Sequence, residues 1–201
     1  MVTPVTRVLR SDARRNRQRV LEAARDCFAD AGLDAQMDDI AGRAEVGVGT
    51  VYRHFPTKQA LAEAIALDHF DRLAASAREA LEEADPWDGF SNFLRRSGQE
   101  QAGDRALAEV MAAEPEVMCD AASRRPDLHE ALGDLVTRAQ DAGKLRHDVV
   151  PADIPMLICG IGRATLAGSK GPTMCCERYI EIVLDGLRAP GSAELPDTPG
   201  R

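Results

Sequence analysis

Residues 37–61, MDDIAGRAEVGVGTVYRHFPTKQAL, decide how this chain is read. Ile40, Ala41 and Ala44 recur at helical spacing and predict a short helix with one apolar side. Glu45, Val46 and Gly47 follow where a tight turn needs a residue tolerant of positive φ, and Gly47, with no Cβ, is the expected supplier. A second short helix is predicted over residues 48–54, with Val51 and Phe55 turned inward and Thr50, Tyr52, Arg53 and His54 facing outward. Two short helices joined in this way present the second one as a body that fits a DNA major groove.

The wording of the stretch resembles the TetR (tetracycline-repressor) family of bacterial transcription regulators. The matching residues are Gly32, Met37-Asp38-Asp39-Ile40-Ala41, Ala44, residues 46–55 (VGVGTVYRHF) and Thr57-Lys58-Gln59-Ala60-Leu61. The similarity runs back through residues 17–28 (RQRVLEAARDCF) and forward to about Leu73, so it covers roughly 60 of the 201 residues. It implies an all-α fold with an N-terminal three-helix, helix-turn-helix head and a C-terminal helical effector-binding and dimerisation domain. It also implies a homodimer on a palindromic double-stranded DNA operator, acting as a repressor relieved by a small-molecule effector, without a cofactor. Thr50 and Arg53 are placed to reach base edges, arginine being suited to guanine. The resemblance assigns Tyr52, His54 and Lys58 chiefly to the phosphate backbone, and it puts a phosphate contact at Gln36, whose amide can donate. Val48 and Gly49 on the same short helix, with Arg14 and Arg17 upstream, complete the expected DNA-binding set.

Charge supports contact at one end only. The net charge is −8, yet residues 1–60 carry ten basic against eight acidic side chains, while residues 61–201 carry fifteen against twenty-five. A basic tip on an acidic body fits a protein that meets phosphates with its N-terminal part. Hydrophobic residues at 44% with charged residues at 29% describe a globular chain, and 4% aromatics with abundant Ala and Leu favour helix over sheet. The odd set of five cysteines (Cys27, Cys119, Cys159, Cys175, Cys176) lacks metal-ligand spacing and reads as reduced intracellular thiols. No signal peptide opens the chain, and the apolar run over residues 154–167 is too short to span a bilayer, so a cytoplasmic protein without membrane contact is expected.

Taken in order, residues 1–12 are expected to be a mobile basic arm, residues 13–56 the head, residues 57–84 a connecting helix, residues 85–188 the effector-binding and dimerisation domain, and residues 189–201 a disordered tail. The first helix, over residues 13–31, turns Val20, Leu21, Ala24, Cys27, Phe28 and Ala31 inward and stops at Gly32. Arg14, Arg15 and Arg17 then lie in its first turn, where the helix dipole disfavours cations and a DNA phosphate would compensate. Thr57 is the expected N-cap of the connecting helix, and Asp85-Pro86 ends it. Breaks are expected over residues 98–103 and at Glu114-Pro115. Helices follow over residues 126–142, with Gly143 as the stop, and over residues 152–168 and 172–187.

Two further sets are candidates. Phe90, Phe93, Leu94, Leu107, Val110, Met111, Met118 and Met156 are expected to line an effector pocket, with Met giving adaptability, though each also reads as core. Gly160, Ala164 and Gly168 form a ridge of small residues, flanked by Leu157, Ile158 and Ile161, while Tyr179, Ile180, Val183, Leu184 and Leu187 give an apolar face. Two such helices from each of two subunits make a four-helix dimer interface. His54, His69, His129 and His147 sit on separate segments outside any nucleophile or metal motif, so no catalytic or metal residue is expected. The alternatives are a thiol sensor built on vicinal Cys175-Cys176 and a helical interaction module that does not bind DNA.

Overall fold

The computed structural model describes residues 4–167, 172–191 and 193–196, with residues 4–11, 119, 123, 166–167 and 172–175 in backbone only. These are helical: α1 Pro4–Ala31, a 3-10 turn Gly32–Asp34, α2 Met37–Arg43, α3 Val48–His54, α4 Lys58–Leu81, α5 Pro86–Gly103, α6 Arg105–Ala113, α7 Pro115–Ser123, α8 Pro126–Asp141, α9 Asp153–Ala167 and α10 Pro172–Leu187. Two compact units divide the chain: Met1–His69 with Arg105–Ala122, and Phe70–Asp104 with Ser123–Arg201.

In the first unit α1 turns Val20, Leu21, Ala24, Cys27 and Phe28 into a core shared with Ile40, Ala41, Ala44, Val51 and Phe55, all buried. Ala31, expected inward, is exposed. Gly32, at φ +62, ends α1 as expected. α1 itself begins nine residues before its expected start, at Pro4, a residue suited to a first helical turn. No Gly or Pro interrupts residues 5–31, and a solvated helix needs no apolar period to form. Residues 4–12, expected to be an arm separate from the first helix, are therefore continuous with it. Arg14, Arg15 and Arg17 consequently lie well inside α1, so the expected conflict with its dipole does not exist.

α6 joins this unit by packing on α1 and on the 3-10 turn. Its buried side chains are Ala106, Leu107, Val110 and Met111. Pro115, expected only to interrupt, opens the additional helix α7, because proline fits a first turn while excluding a continuous helix before it.

α4 starts as the sequence predicts, with Thr57 Oγ1 accepting from the Ala60 amide at 3.0 Å. It stops at Leu81, three residues early, where Arg138 donates to the carbonyls of Leu81 at 2.9 Å and Ala84 at 3.2 Å, as well as to that of Glu83. Asp85 then caps α5, accepting from the amides of Trp87 and Asp88 at 2.8 and 3.0 Å. Those two amides, Asp88 first, hold the Asp85 carboxyl below its ordinary pKa.

The second unit is built on α5, against which α8, α9 and α10 pack. The break expected over residues 98–103 is absent: α5 continues to Gly103. Gly98 serves close packing instead, since a Cβ there would stand 2.9 Å from Ile180 Cδ1. Gly162 of α9 does the same against the Gln101 side chain. α8 turns Leu128, Leu132, Leu135, Val136 and Ala139 inward, and Gly143, at φ +65, follows it, both as expected.

Residues 189–191 and 193–196, expected to belong to a disordered tail, are tied to the body by hydrogen bonds at Ala189, Ala193 and Leu195. Arg146, 8% exposed, donates to Asp148 from Nε at 2.6 Å and Nη2 at 2.7 Å, and also to the carbonyls of Gly186 and Ala193. Asp148 in turn accepts from the Leu195 amide at 2.9 Å, and the Ala189 amide donates to the Lys144 carbonyl at 3.0 Å. The Arg146 guanidinium and the Leu195 amide hold the Asp148 carboxyl far below the usual carboxylate range. A carboxyl depressed on folding stabilises the fold above its unfolded pKa, and the contribution drains away as pH falls through the folded value. The urea midpoint of Asp148→Asn is therefore expected to lie well below wild type at about pH 7, and the gap to begin narrowing only as pH falls below about 4 and to go on narrowing toward the far lower folded value. A gap that did not narrow at all as pH fell from about 4 to about 2 would show that the Arg146–Asp148 pair is not its source.

Candidate nucleic-acid interface

The head is held by contacts that leave one helix face open. Val51 at 0% and Phe55 at 2% exposure anchor α3 inward, as the sequence predicts. Outward stand Val48, 41% exposed, Tyr52, 50% exposed, and the exposed Gly49 and Arg53, with Thr50 and His54 half-buried. α3 contains no carboxylate, so no side chain of its own repels a phosphate.

The turn before α3 differs from expectation. Gly47 has an ordinary φ of −67 as N-cap of α3, its carbonyl receiving the Thr50 amide at 2.7 Å. The positive φ, 52, belongs to Glu45. The Glu45 amide donates to the Gly42 carbonyl and the Val46 amide to the Ala41 carbonyl, each at 3.1 Å, which closes the end of α2 as a Schellman motif. A non-glycine residue there costs about 1 kcal/mol. Glu45 also fastens the turn to α1, since Arg19 Nη2 lies 2.8 Å from its Oε2.

The other expected phosphate ligands are partly engaged. The Arg17 guanidinium lies 5.0 Å from the centroid of the Phe55 ring, a cation–π contact that sets its direction beside the end of α3. Lys58 Nζ donates to the Leu33 carbonyl at 3.1 Å, which holds the start of α4 to the segment after α1 and leaves two further protons on the ammonium. The Gln36 amide donates to the Asp34 carbonyl at 2.7 Å and makes no capping bond, so at rest it is turned into its own loop. Arg14 is exposed on α1.

The expected pocket residues fall in both units. Phe90, Phe93 and Leu94 are fully buried in the second unit, whereas Leu107, Val110 and Met111 belong to the core of the first, and Met118 is half-buried on α7. Met156 is 71% exposed and lines no interior. It belongs instead to an apolar stripe that residue spacing only partly identified: Met156, Gly160 and Ala164 exposed on α9, with Tyr179 at 41% and Ile182 at 55% on α10. Leu157 and Val183 are half-buried beside it. Ile161, expected on this face, is 5% exposed and points at Gly98 of the same chain. Gly168 and Cys175 lie outside the residues whose side chains are described. Burial raises the pKa of the Cys27, Cys159 and Cys176 thiols, and so disfavours the reactive thiolate that a sensor needs. Among the described residues no group of His, Cys, Asp and Glu side chains is gathered to hold a metal, and no helix is long and apolar enough to cross a membrane.

A short helix held by its inner face, with an outer face free of carboxylates and arginines beside it, defines a helix-turn-helix DNA-binding protein. Residues 20–65 match the family described as bacterial regulatory proteins, tetR family, and residues 85–189 match the transcriptional regulator SbtR-like C-terminal domain. The chain belongs to the tetR family and is a DNA-binding transcriptional regulator. A TetR regulatory protein from Mycobacterium vanbaalenii is 38% identical, with 90% of this chain and 99% of that one covered at a TM-score of 0.62. The HTH-type regulator UidR of Escherichia coli is 28% identical over 90% of this chain and 93% of its own length. The HTH-type repressor Rv1474c of Mycobacterium tuberculosis is 27% identical over 86% and 80%.

Proposed function

We propose that the chain works as a homodimeric repressor in the cytoplasm, bound to a near-palindromic operator and released from it by a small molecule. The observation that carries the DNA half of this reading is the outward face of α3, with Val48, Tyr52 and Arg53 exposed on a helix whose Val51 is fully buried. The exposed Met156, Gly160 and Ala164 on α9 and Tyr179 and Ile182 on α10 support dimerisation, because apolar residues left on the surface of two helices that pack together suit burial against a second subunit. Two-fold pairing sets the operator: half-sites lie about one helical turn, or a small multiple, apart. Repression is favoured by the relative named a repressor.

Arg53 is the base-reading side chain, and Lys58 grips phosphate with the protons that Leu33 leaves free. Arg53→Ala is expected to lose about 1–3 kcal/mol on the specific operator and little on random duplex. Lys58→Ala is expected to weaken binding to all sequences and to lower the salt slope by about one. Titrations of both variants on operator and random duplex at several salt concentrations check this, and equal proportional losses on the two duplexes would reverse the assignment.

Release by a ligand requires that the ligand bind the DNA-competent and DNA-incompetent states with different affinity. α4, which contributes residues to both units, is the proposed carrier, through a tilt that alters the spacing of the recognition helices. A thermal-shift screen of metabolites and drugs, followed by DNA release by the hits, tests the coupling.

A further inference from the structure

Val48 and Tyr52, one turn apart on one side of α3, are the large hydrophobic side chains left exposed among the described residues of the first unit. Their exposure has no use inside the chain. Val48 is exposed, and its neighbours in the chain, Gly47 and Gly49, carry no side chain that could cover it. A valine carries no hydrogen-bonding group and cannot read the donor and acceptor pattern of a base pair. The apolar feature that a major groove offers is the C5-methyl group of thymine. α3 also has no carboxylate with which to select the amino group of cytosine.

We propose that Val48 reads a thymine in each half-site through its C5-methyl group, with the Tyr52 ring as an apolar wall one turn further on. The inference rests on the operator reading above and adds one base identity to it. Arg53 lies on the neighbouring ridge, i+4 from Gly49, so guanine and thymine are read by separate rows of the same helix.

The test uses the full chain. An operator is selected from a random duplex library, and each thymine of the selected half-site is replaced in turn by deoxyuridine, which removes the methyl group and keeps the base-pairing edge. At one thymine per half-site the replacement is expected to weaken wild-type binding about four-fold, and about fifteen-fold when made in both half-sites. Val48→Ala, which loses both γ-methyl groups, is expected to bind the thymine duplex less tightly than wild type and to discriminate it from the deoxyuridine duplex by less than about two-fold. Val48→Thr, which keeps one methyl group, should retain part of the discrimination, and unchanged circular dichroism in both variants separates contact from folding. Deoxyuridine that costs nothing at every thymine overturns the inference, as does a Val48→Ala variant that discriminates as well as wild type. A selection that enriches no DNA overturns the operator reading itself, and Val48 with it.

Discussion

Ala164→Glu is expected to convert the proposed dimer into monomers, raising the dissociation constant about a hundred-fold to a few thousand-fold. Ala164 is exposed on α9 one turn from Gly160, where an added Cβ would meet nothing within 4 Å, and Met156 and Ile182 expose apolar surface on the same pair of helices. A second subunit seated there would bury a glutamate carboxylate against methyl groups, with its two-fold mate close by. Neither charge would have a partner. Because the inward face of α9 is formed by Ile154, Ile158, Ile161 and Gly162, the substitution leaves the subunit's own packing alone. Light scattering, with helicity as a control, checks the result: a dimer that survives Ala164→Glu would remove the stripe from the interface. Operator affinity should fall with the dimer, since one head alone contacts a single half-site.

The helix-turn-helix head was legible because its contacts are local and its residue types are constrained. Ile40, Ala41, Val51 and Phe55 point inward on the spacing rule alone, and α3 has the limits read from the sequence. The same rules misplaced the turn. Glycine is the usual supplier of positive φ, so Gly47 was the natural choice, yet the closure of α2 fixes the left-handed position at Glu45, two residues earlier. Sequence gives no warning there, because the cost of a glutamate is offset by the capping bonds and by Arg19.

Glycines in the second unit misled for the opposite reason. Gly98 reads as a breaker, but a helix packed closely against Ile180 requires the absence of a side chain more than it suffers from glycine's flexibility. On α9 small residues occur in two phases, Gly160 with Ala164 and, separately, Gly162. Spacing alone does not say which phase meets its own α5 and which remains exposed; the structure gives Gly162 to Gln101 and leaves Gly160 open. Residues 189–196 have the Pro- and Gly-containing composition of a tail, and what holds Ala193 and Leu195 is the Arg146–Asp148 pair some fifty residues earlier, a pairing across the chain that no local pattern announces.

Gly49→Leu is expected to abolish operator binding, by about a hundred-fold or more, while leaving the protein at least as stable as wild type. Glycine inside a helix costs about 1 kcal/mol relative to alanine, and α3 is only seven residues long. Nothing within the chain asks for that cost: Gly49 is exposed, its φ is not positive, and an added Cβ would meet nothing within 4 Å. The requirement for a bare backbone therefore points outward, to the surface that α3 approaches, where Gly49 lies between Val48 and Thr50 and one turn before Arg53. A leucine there would stand off the groove by the width of its side chain and pull Arg53 from its guanine, so contacts in the whole half-site would be lost together. Thermal melts and DNA titrations of Gly49→Ala and Gly49→Leu form the series: melting temperature should hold or rise with both, while affinity falls slightly for alanine and steeply for leucine. A leucine variant that binds the operator like wild type would mean that α3 does not enter the groove along this edge.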